Sequence, residues 1–139
     1  MKIVFLGSGH FGIWCLESIL PTRHRLALCV TQPPQPAGRG RKPSPTAVAE
    51  WGAAHGVPLL ETDNVNAPEA VAAIAQHRPD LLLVIAFGQK VGPALVALPG
   101  RGAINVHASL LPRWRGAAPI NWAIMAGDPV TGVNIITLA

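Results

Sequence analysis

Seven consecutive apolar residues, Leu81 to Phe87, stand in the second half of the chain without a polar residue among them. A strand with one wet face alternates apolar and polar side chains, so an unbroken run of strand length is a strand covered on both faces. Asp80 and Gly88 bound it. A strand buried on both faces needs a layer of helices above and another below. The fold must therefore be an α/β sandwich built around this central strand.

The rest of the chain supplies those layers in alternation. Met1 to Leu6 reads as a strand, Gly7-Ser8-Gly9 as a turn, and Phe11 to Leu20 carries apolar residues at helical spacing up to Pro21. Leu26 to Val30 is a second strand. The Pro-, Gly- and Arg-rich segment Gln32 to Pro45 then reads as a long loop in which no regular element persists. Ser44 is placed to cap a helix with Pro45 in its first turn, running through Ala47, Val48 and Trp51 to Gly56, before a short strand at Val57 to Leu60. Pro68 opens a further helix through Ala75. After the central strand come a short helix from Gln89 to Ala97, a strand from Gly102 to His107, a helix from Gly116 to Met125 and a strand from Thr131 to Leu138. This pattern predicts an open, mostly parallel, doubly wound sheet with helices on both faces. Ligands of such sheets collect beyond the carboxyl ends of the strands, after Leu6, Val30, Phe87 and Val106.

Composition narrows the function classes. With 139 residues, half of them hydrophobic and 13% charged, the chain has room for one core and is too apolar for a disordered segment. The longest apolar run is far shorter than the ~20 residues that span a bilayer, and the N-terminal apolar stretch meets Gly7 too early for a signal peptide. A soluble, cytoplasmic protein is expected, with no membrane partner. A net charge of +4 favours anionic partners. Cys15 and Cys29 have no zinc-like spacing and read as buried free thiols, and no metal site is expected. The tryptophans at 14, 51, 114 and 122 fall on different elements and read as packing residues.

Three clusters carry possible chemistry. Gly7-Ser8-Gly9-His10-Phe11-Gly12 matches the dinucleotide-binding glycine pattern between a strand and a helix. The second strand, however, ends Val30-Thr31-Gln32-Pro33, with no acidic residue for a ribose hydroxyl, which argues against a nicotinamide cofactor. Binding of another phosphate at the helix N-terminus and a purely structural turn both stay open. The second cluster is Arg39, Arg41 and Lys42, three cations within four residues on a Pro- and Gly-rich loop. Such a loop suits a nucleic-acid backbone, or it is a solvated surface loop. The third is Ile104-Asn105-Val106-His107, where strand alternation puts Asn105 and His107 on one face. An amide and an imidazole emerging together at a strand's carboxyl end can stabilise an oxyanion and move a proton, as acyl transfer requires.

The stretch from Asn105-Val106-His107 through Ala108-Ser109-Leu110-Leu111-Pro112-Arg113-Trp114-Arg115-Gly116-Ala117-Ala118-Pro119-Ile120 resembles the signature of the folate-dependent formyltransferases. The likeness extends to Phe5 to Phe11, Thr31 to Pro33, Pro36 to Lys42, Ala86-Phe87-Gly88, and Gly127-Asp128 through Val133. It implies a Rossmann-like formyltransferase fold and transfer of a formyl group from 10-formyltetrahydrofolate to the amine of methionine carried on initiator tRNA. In that reading Asn105 and His107 are catalytic. Phe87, Gly88 and Gln89 on one side, and Ser109, Leu110, Leu111 and Pro112 on the other, hold the folate, with a cis bond between Leu111 and Pro112. Arg39, Arg41 and Lys42 contact the tRNA. A sugar-nucleotide formyltransferase would share Asn105, His107 and Ser109 to Pro112 but gives no reason for the three cations. A nucleotide-binding module without chemistry would use Gly7 to Gly12, and a non-catalytic remnant would still bind folate or tRNA.

The resemblance also implies a third catalytic residue, an Asp in a Gly-Leu-Asp loop after the strand matched by Thr131 to Leu138. The sequence ends at Ala139, so the expectation is a domain incomplete at its C-terminal end, without the family's C-terminal barrel domain and with weak or no turnover alone. Gly127-Asp128 matches a separate turn and is not a substitute.

Overall fold

The computed structural model describes residues 1–139. Strand β1 (Lys2–Gly7) leads through helix α1 (Phe11–Ile19) to β2 (Arg25–Thr31), then to β3 (Gln35–Ala37) and β4 (Lys42–Ser44), helix α2 (Ala47–Ala54) and β5 (Leu59–Glu61). Helix α3 (Pro68–Gln76) precedes the central β6 (Leu81–Ile85), followed by α4 (Pro93–Val96), β7 (Ala103–His107), α5 (Pro119–Met125) and β8 (Asn134–Leu138).

Six strands form one sheet in the order β5-β2-β1-β6-β7-β8. All neighbours are parallel except β8, which runs antiparallel to β7 with His107 opposite Asn134 and Ala103 opposite Leu138. Alternation divides the buried residues between two layers. Val4, Leu6, Val30, Leu82 and Val84 pack with Ile74 of α3 and Leu95 of α4 on one face. Ile3, Phe5, Cys29, Leu83 and Ile85 pack with Leu16 of α1 and Val48 and Trp51 of α2 on the other. Burying a side chain of this size stabilises by about 1.5–3 kcal/mol, so the two layers together supply the fold's main driving force. The doubly wound arrangement expected from the sequence is present, with β6 covered on both sides.

Several local expectations are corrected. Gln32 to Pro45 is not irregular: β3 and β4 pair antiparallel as a hairpin, with Pro36 facing Pro43. Facing prolines are tolerated because alternate pairs of an antiparallel ladder exchange no hydrogen bonds. Gly38 and Gly40, at φ 67° and 80°, close the turn. Ser44 belongs to β4 and does not cap α2; Thr46 does, its Oγ1 accepting from the Ala49 amide at 3.1 Å. The helix expected from Gln89 is a single turn from Pro93, because the Gln89 side chain is drawn into contacts with other segments. Helix α5 starts at Pro119 and not at Gly116, because Gly116 and Ala118 are left-handed at φ 87° and 54°. Two tryptophans are not core: Trp14 is 77% and Trp122 51% exposed, whereas Trp51 is buried. Cys29 is fully buried as expected, but Cys15 only partly. No helix is long and apolar enough to cross a membrane.

Candidate active site

The chain leaves β1 outward to β2 and β5, then returns to β6 on β1's other side. That reversal opens a crevice at the carboxyl ends of β1 and β6, where doubly wound sheets bind ligands. Ser8 ties the crevice together. Its amide donates to the Ala86 carbonyl at 3.1 Å and its Oγ to the Phe87 carbonyl at 3.2 Å, while Oγ accepts from the Gln32 amide and from Thr31 Oγ1, both at 3.2 Å. One hydroxyl thus joins the ends of three strands.

The glycines of the first turn are explained by packing. A β-carbon on Gly7 would stand 2.6 Å from the Ile85 carbonyl oxygen, and one on Gly12 2.7 Å from Cζ of Phe5. Both positions are closed to a side chain.

A cavity of about 860 Å³ lies over the carboxyl ends of β6 and β7. Its walls include Phe11, Ala86, Phe87, Gly88, Gln89, Asn105, His107 and the segment from Gly116 to Asn121. Asn105 and His107 share a face of β7 as alternation requires, and both also line a smaller cavity with Leu111 and Arg115. The backbone amides of Phe87, Gly88 and Gln89 have no partner within the chain. The Gln89 side chain, by contrast, is spent: its Nε2 donates to Gln32 Oε1 and the Thr62 carbonyl, and its Oε1 accepts from the Val65 amide. Only the backbone of Gln89 is free to meet a ligand.

The tautomer of the neutral His107 ring is set by its partner. Its Nε2 lies 2.8 Å from the Trp114 carbonyl, and a carbonyl can only accept, so Nε2 carries a hydrogen and, in the neutral ring, Nδ1 holds the lone pair. Neither Nδ1 nor the Asn105 amide has a partner in the chain, and no buried side-chain polar atom is left unpaired. Both groups are therefore open to solvent in the cavity.

Behind these two residues the loop from Ala108 to Ala118 is pinned by side chains. Ser109 Oγ donates to the Arg113 carbonyl at 2.7 Å, and the Leu111 amide donates to Asn134 Oδ1 at 2.6 Å. The Leu111-Pro112 bond is cis. Ser109, Leu110 and Pro112 line neither of these two cavities, and Leu111 lines only the smaller one; Gly116 to Asn121 line the larger. Asn134 and Asp128 were not singled out as site residues. The 127–128 pair stood out as part of a motif, but its partners lie fourteen and fifteen residues away and only the fold identifies them. Arg39, Arg41 and Lys42 stand exposed on the β3–β4 hairpin and do not line the cavities.

Comparison with known proteins places this geometry in context. The whole chain, residues 1–139, matches the family model described as formyl transferase. It is 44% identical over 138 residues to a methionyl-tRNA formyltransferase of Legionella pneumophila, covering 99% of this chain and 44% of the relative. It is 43% identical over 139 residues to one of Thiobacillus denitrificans, covering 100% and 45%. The chain thus spans less than half the length of these relatives. Among solved structures, a phosphoribosylglycinamide formyltransferase of Bacillus halodurans superposes with a TM-score of 0.75 at 25% identity, covering all of this chain and 72% of that one. A formyltetrahydrofolate deformylase of Pseudomonas syringae shares the fold at 18% identity and a TM-score of 0.69, covering 99% of this chain and 46% of that one. With an amide and an imidazole lining the cavity at the carboxyl ends of β6 and β7 and a family match over its full extent, the chain belongs to the formyl transferase family.

Proposed function

We propose that this chain is the N-terminal part of the catalytic domain of an enzyme that moves a formyl group from 10-formyltetrahydrofolate to the amine of methionine esterified to initiator tRNA, in the cytoplasm. The observation that carries this reading is the pair of uncommitted groups, the Asn105 amide and His107 Nδ1, facing one cavity with the unpaired amides of Phe87 to Gln89. The names of the relatives support the acceptor, and the exposed cations Arg39, Arg41 and Lys42 suit the phosphates of a tRNA.

The unpaired amides fit the donor and acceptor edges of a pterin ring. The folate supplies an activated formyl carbon. When the amine adds to that carbon, negative charge gathers on the formyl oxygen and the amine acquires a surplus proton. Asn105 Nδ2 donates to the oxygen. His107 Nδ1 takes the proton, and the imidazolium so formed adds a positive charge beside the oxygen. The proton then leaves on the nitrogen from which the formyl group departs.

The test uses a longer protein, this sequence extended to the full length of its curated relatives, with methionyl-tRNA and a UDP-amino sugar as competing acceptors. Formylation of the tRNA, lost in His107→Ala with the fold retained, is the expected result. Unchanged turnover in His107→Ala, or preference for the sugar, overturns the reading. Titrating the present chain with a stable formylfolate and with NAD adds a binding readout, in which only the folate should bind.

A further inference from the structure

We propose that Asp128 is the positioning residue for His107, acting through the turn formed by Arg113 and Trp114. The proposal rests on the reading of His107 as the group that takes the proton, and it assigns a task to a carboxylate that the chemistry above does not use.

Trp114 has φ 59°, in the left-handed region that a bulky residue adopts only where its surroundings impose it. That conformation presents its carbonyl to His107 Nε2 at 2.8 Å. Asp128 imposes it from the far side of the loop. The indole Nε1 of Trp114 donates to Asp128 Oδ2 at 2.6 Å, and Arg113 donates to the same carboxylate twice, from Nε at 2.8 Å and from a terminal nitrogen at 2.6 Å. The Arg113 guanidinium also lies 4.5 Å from the centroid of the Trp114 ring, which stacks on Trp122 of α5. A planar cation joined by two bonds to a carboxylate has little freedom to rotate, so the three side chains close into a rigid clamp. Asp128 itself is anchored, its amide donating to the Ala123 carbonyl at 3.0 Å.

The consequence reaches the reacting nitrogen. Without the clamp the Trp114 backbone relaxes toward negative φ, its carbonyl turns away, and nothing selects the Nε2–H form of the imidazole over the Nδ1–H form. In the Nδ1–H form the proton acceptor points into the loop instead of the open cavity. Asp128 never touches substrate in this account; it holds the imidazole in the tautomer whose free nitrogen faces the cavity.

The present chain, labelled with nitrogen-15, tests this directly. Two-bond proton–nitrogen correlations of His107, assigned by loss of the signal in His107→Gln, report the tautomer at a pH where the ring is neutral. The parent is expected almost wholly as Nε2–H. Asp128→Ala should lower the Nε2–H to Nδ1–H ratio by about tenfold, the equivalent of one net hydrogen bond, with Asp128→Asn in between. An unchanged ratio in Asp128→Ala overturns the proposal. Should Asp128→Ala fail to fold, Trp114→Phe keeps the backbone carbonyl and an aromatic ring while removing the indole bond and part of the stacking on Trp122, and the same criterion applies to it. The two readings separate in the longer protein: a tautomer shift in Asp128→Ala without loss of formyl transfer upholds the clamp and removes the proton-taking role of His107.

Discussion

The ring of Phe5 lies directly beneath Gly12, so that a β-carbon there would meet Cζ at 2.7 Å. Phe5, on β1, is fully buried in the layer that it shares with Leu16 of α1. Gly12→Ala should therefore overpack this layer and cost about 1–3 kcal/mol. Gly9→Ala meets nothing nearer than the Ala86 β-carbon at 3.8 Å and should be tolerated. Urea unfolding of the two variants checks the contrast; equal losses would show that the contact with Phe5 does not set the cost at Gly12.

Asn105 makes no side-chain hydrogen bond within the chain, so its replacement should spare the fold while removing the proposed oxyanion donor. In the longer protein Asn105→Ala is expected to lower the turnover rate by about 100- to 1,000-fold, with an unchanged melting temperature. A rate within a few-fold of the parent would assign the oxyanion to another donor.

The hairpin cations act without reading sequence if they meet a tRNA backbone. Replacing Arg39, Arg41 and Lys42 together by Ala in the longer protein should weaken tRNA binding and flatten its dependence on salt. Each lost phosphate contact removes about 0.7–0.9 from the slope of log affinity against log salt concentration. A parent-like slope would leave the hairpin without a nucleic-acid role.

Burial pushes the Cys29 thiol up to about 12 from an ordinary 9.0, and burial raises the half-buried Cys15 thiol as well. The thiolate is the reactive form, so at pH 8 a thiol reagent should leave Cys29 unlabelled in the native chain and label both cysteines in denaturant. Because the unfolded chain releases this proton first, Cys29 should cost the fold stability as pH rises from about 9 to about 12. Rapid native labelling of Cys29 would show that its strand opens readily.

The Arg113 guanidinium, and after it the Trp114 indole, hold the Asp128 carboxyl down at about 2 from an ordinary 3.8. A depressed acid contributes stability that is complete above its unfolded value and is lost as pH falls through its folded value. The clamp should thus be intact from neutral pH to about 4 and open only near 2. The Nε1–H resonance of Trp114 followed through an acid titration reports it, and a midpoint at 4 or above would mean that the pair is loose.

Much of this architecture was legible from residue order. The unbroken run at Leu81 to Phe87 announced a strand covered on both faces, and β6 is that strand. Alternation placed Asn105 and His107 together on β7, and both open into one cavity. The hairpin was not legible, because its strands are three residues each and contain prolines, which carry no periodic signal. Two tryptophans misled for a related reason: apolar character says that a side chain is suited to burial, not that it is covered, and Trp14 and Trp122 stay largely exposed, Trp122 with one face stacked on Trp114.

Residue order by itself determined the layered α/β class, the two-faced burial of the central strand and the shared face of Asn105 and His107, because backbone periods of 2 and 3.6 act over a few residues and leave their mark in the chain. Only the tertiary structure decided which nitrogen of His107 is free, which wall closes the cavity and what Asp128 holds. Those outcomes depend on groups that meet across loops, such as the Trp114 carbonyl and the Asn134 amide, and hydrogen-bond direction is fixed by the partner's position in space and not by its distance along the chain.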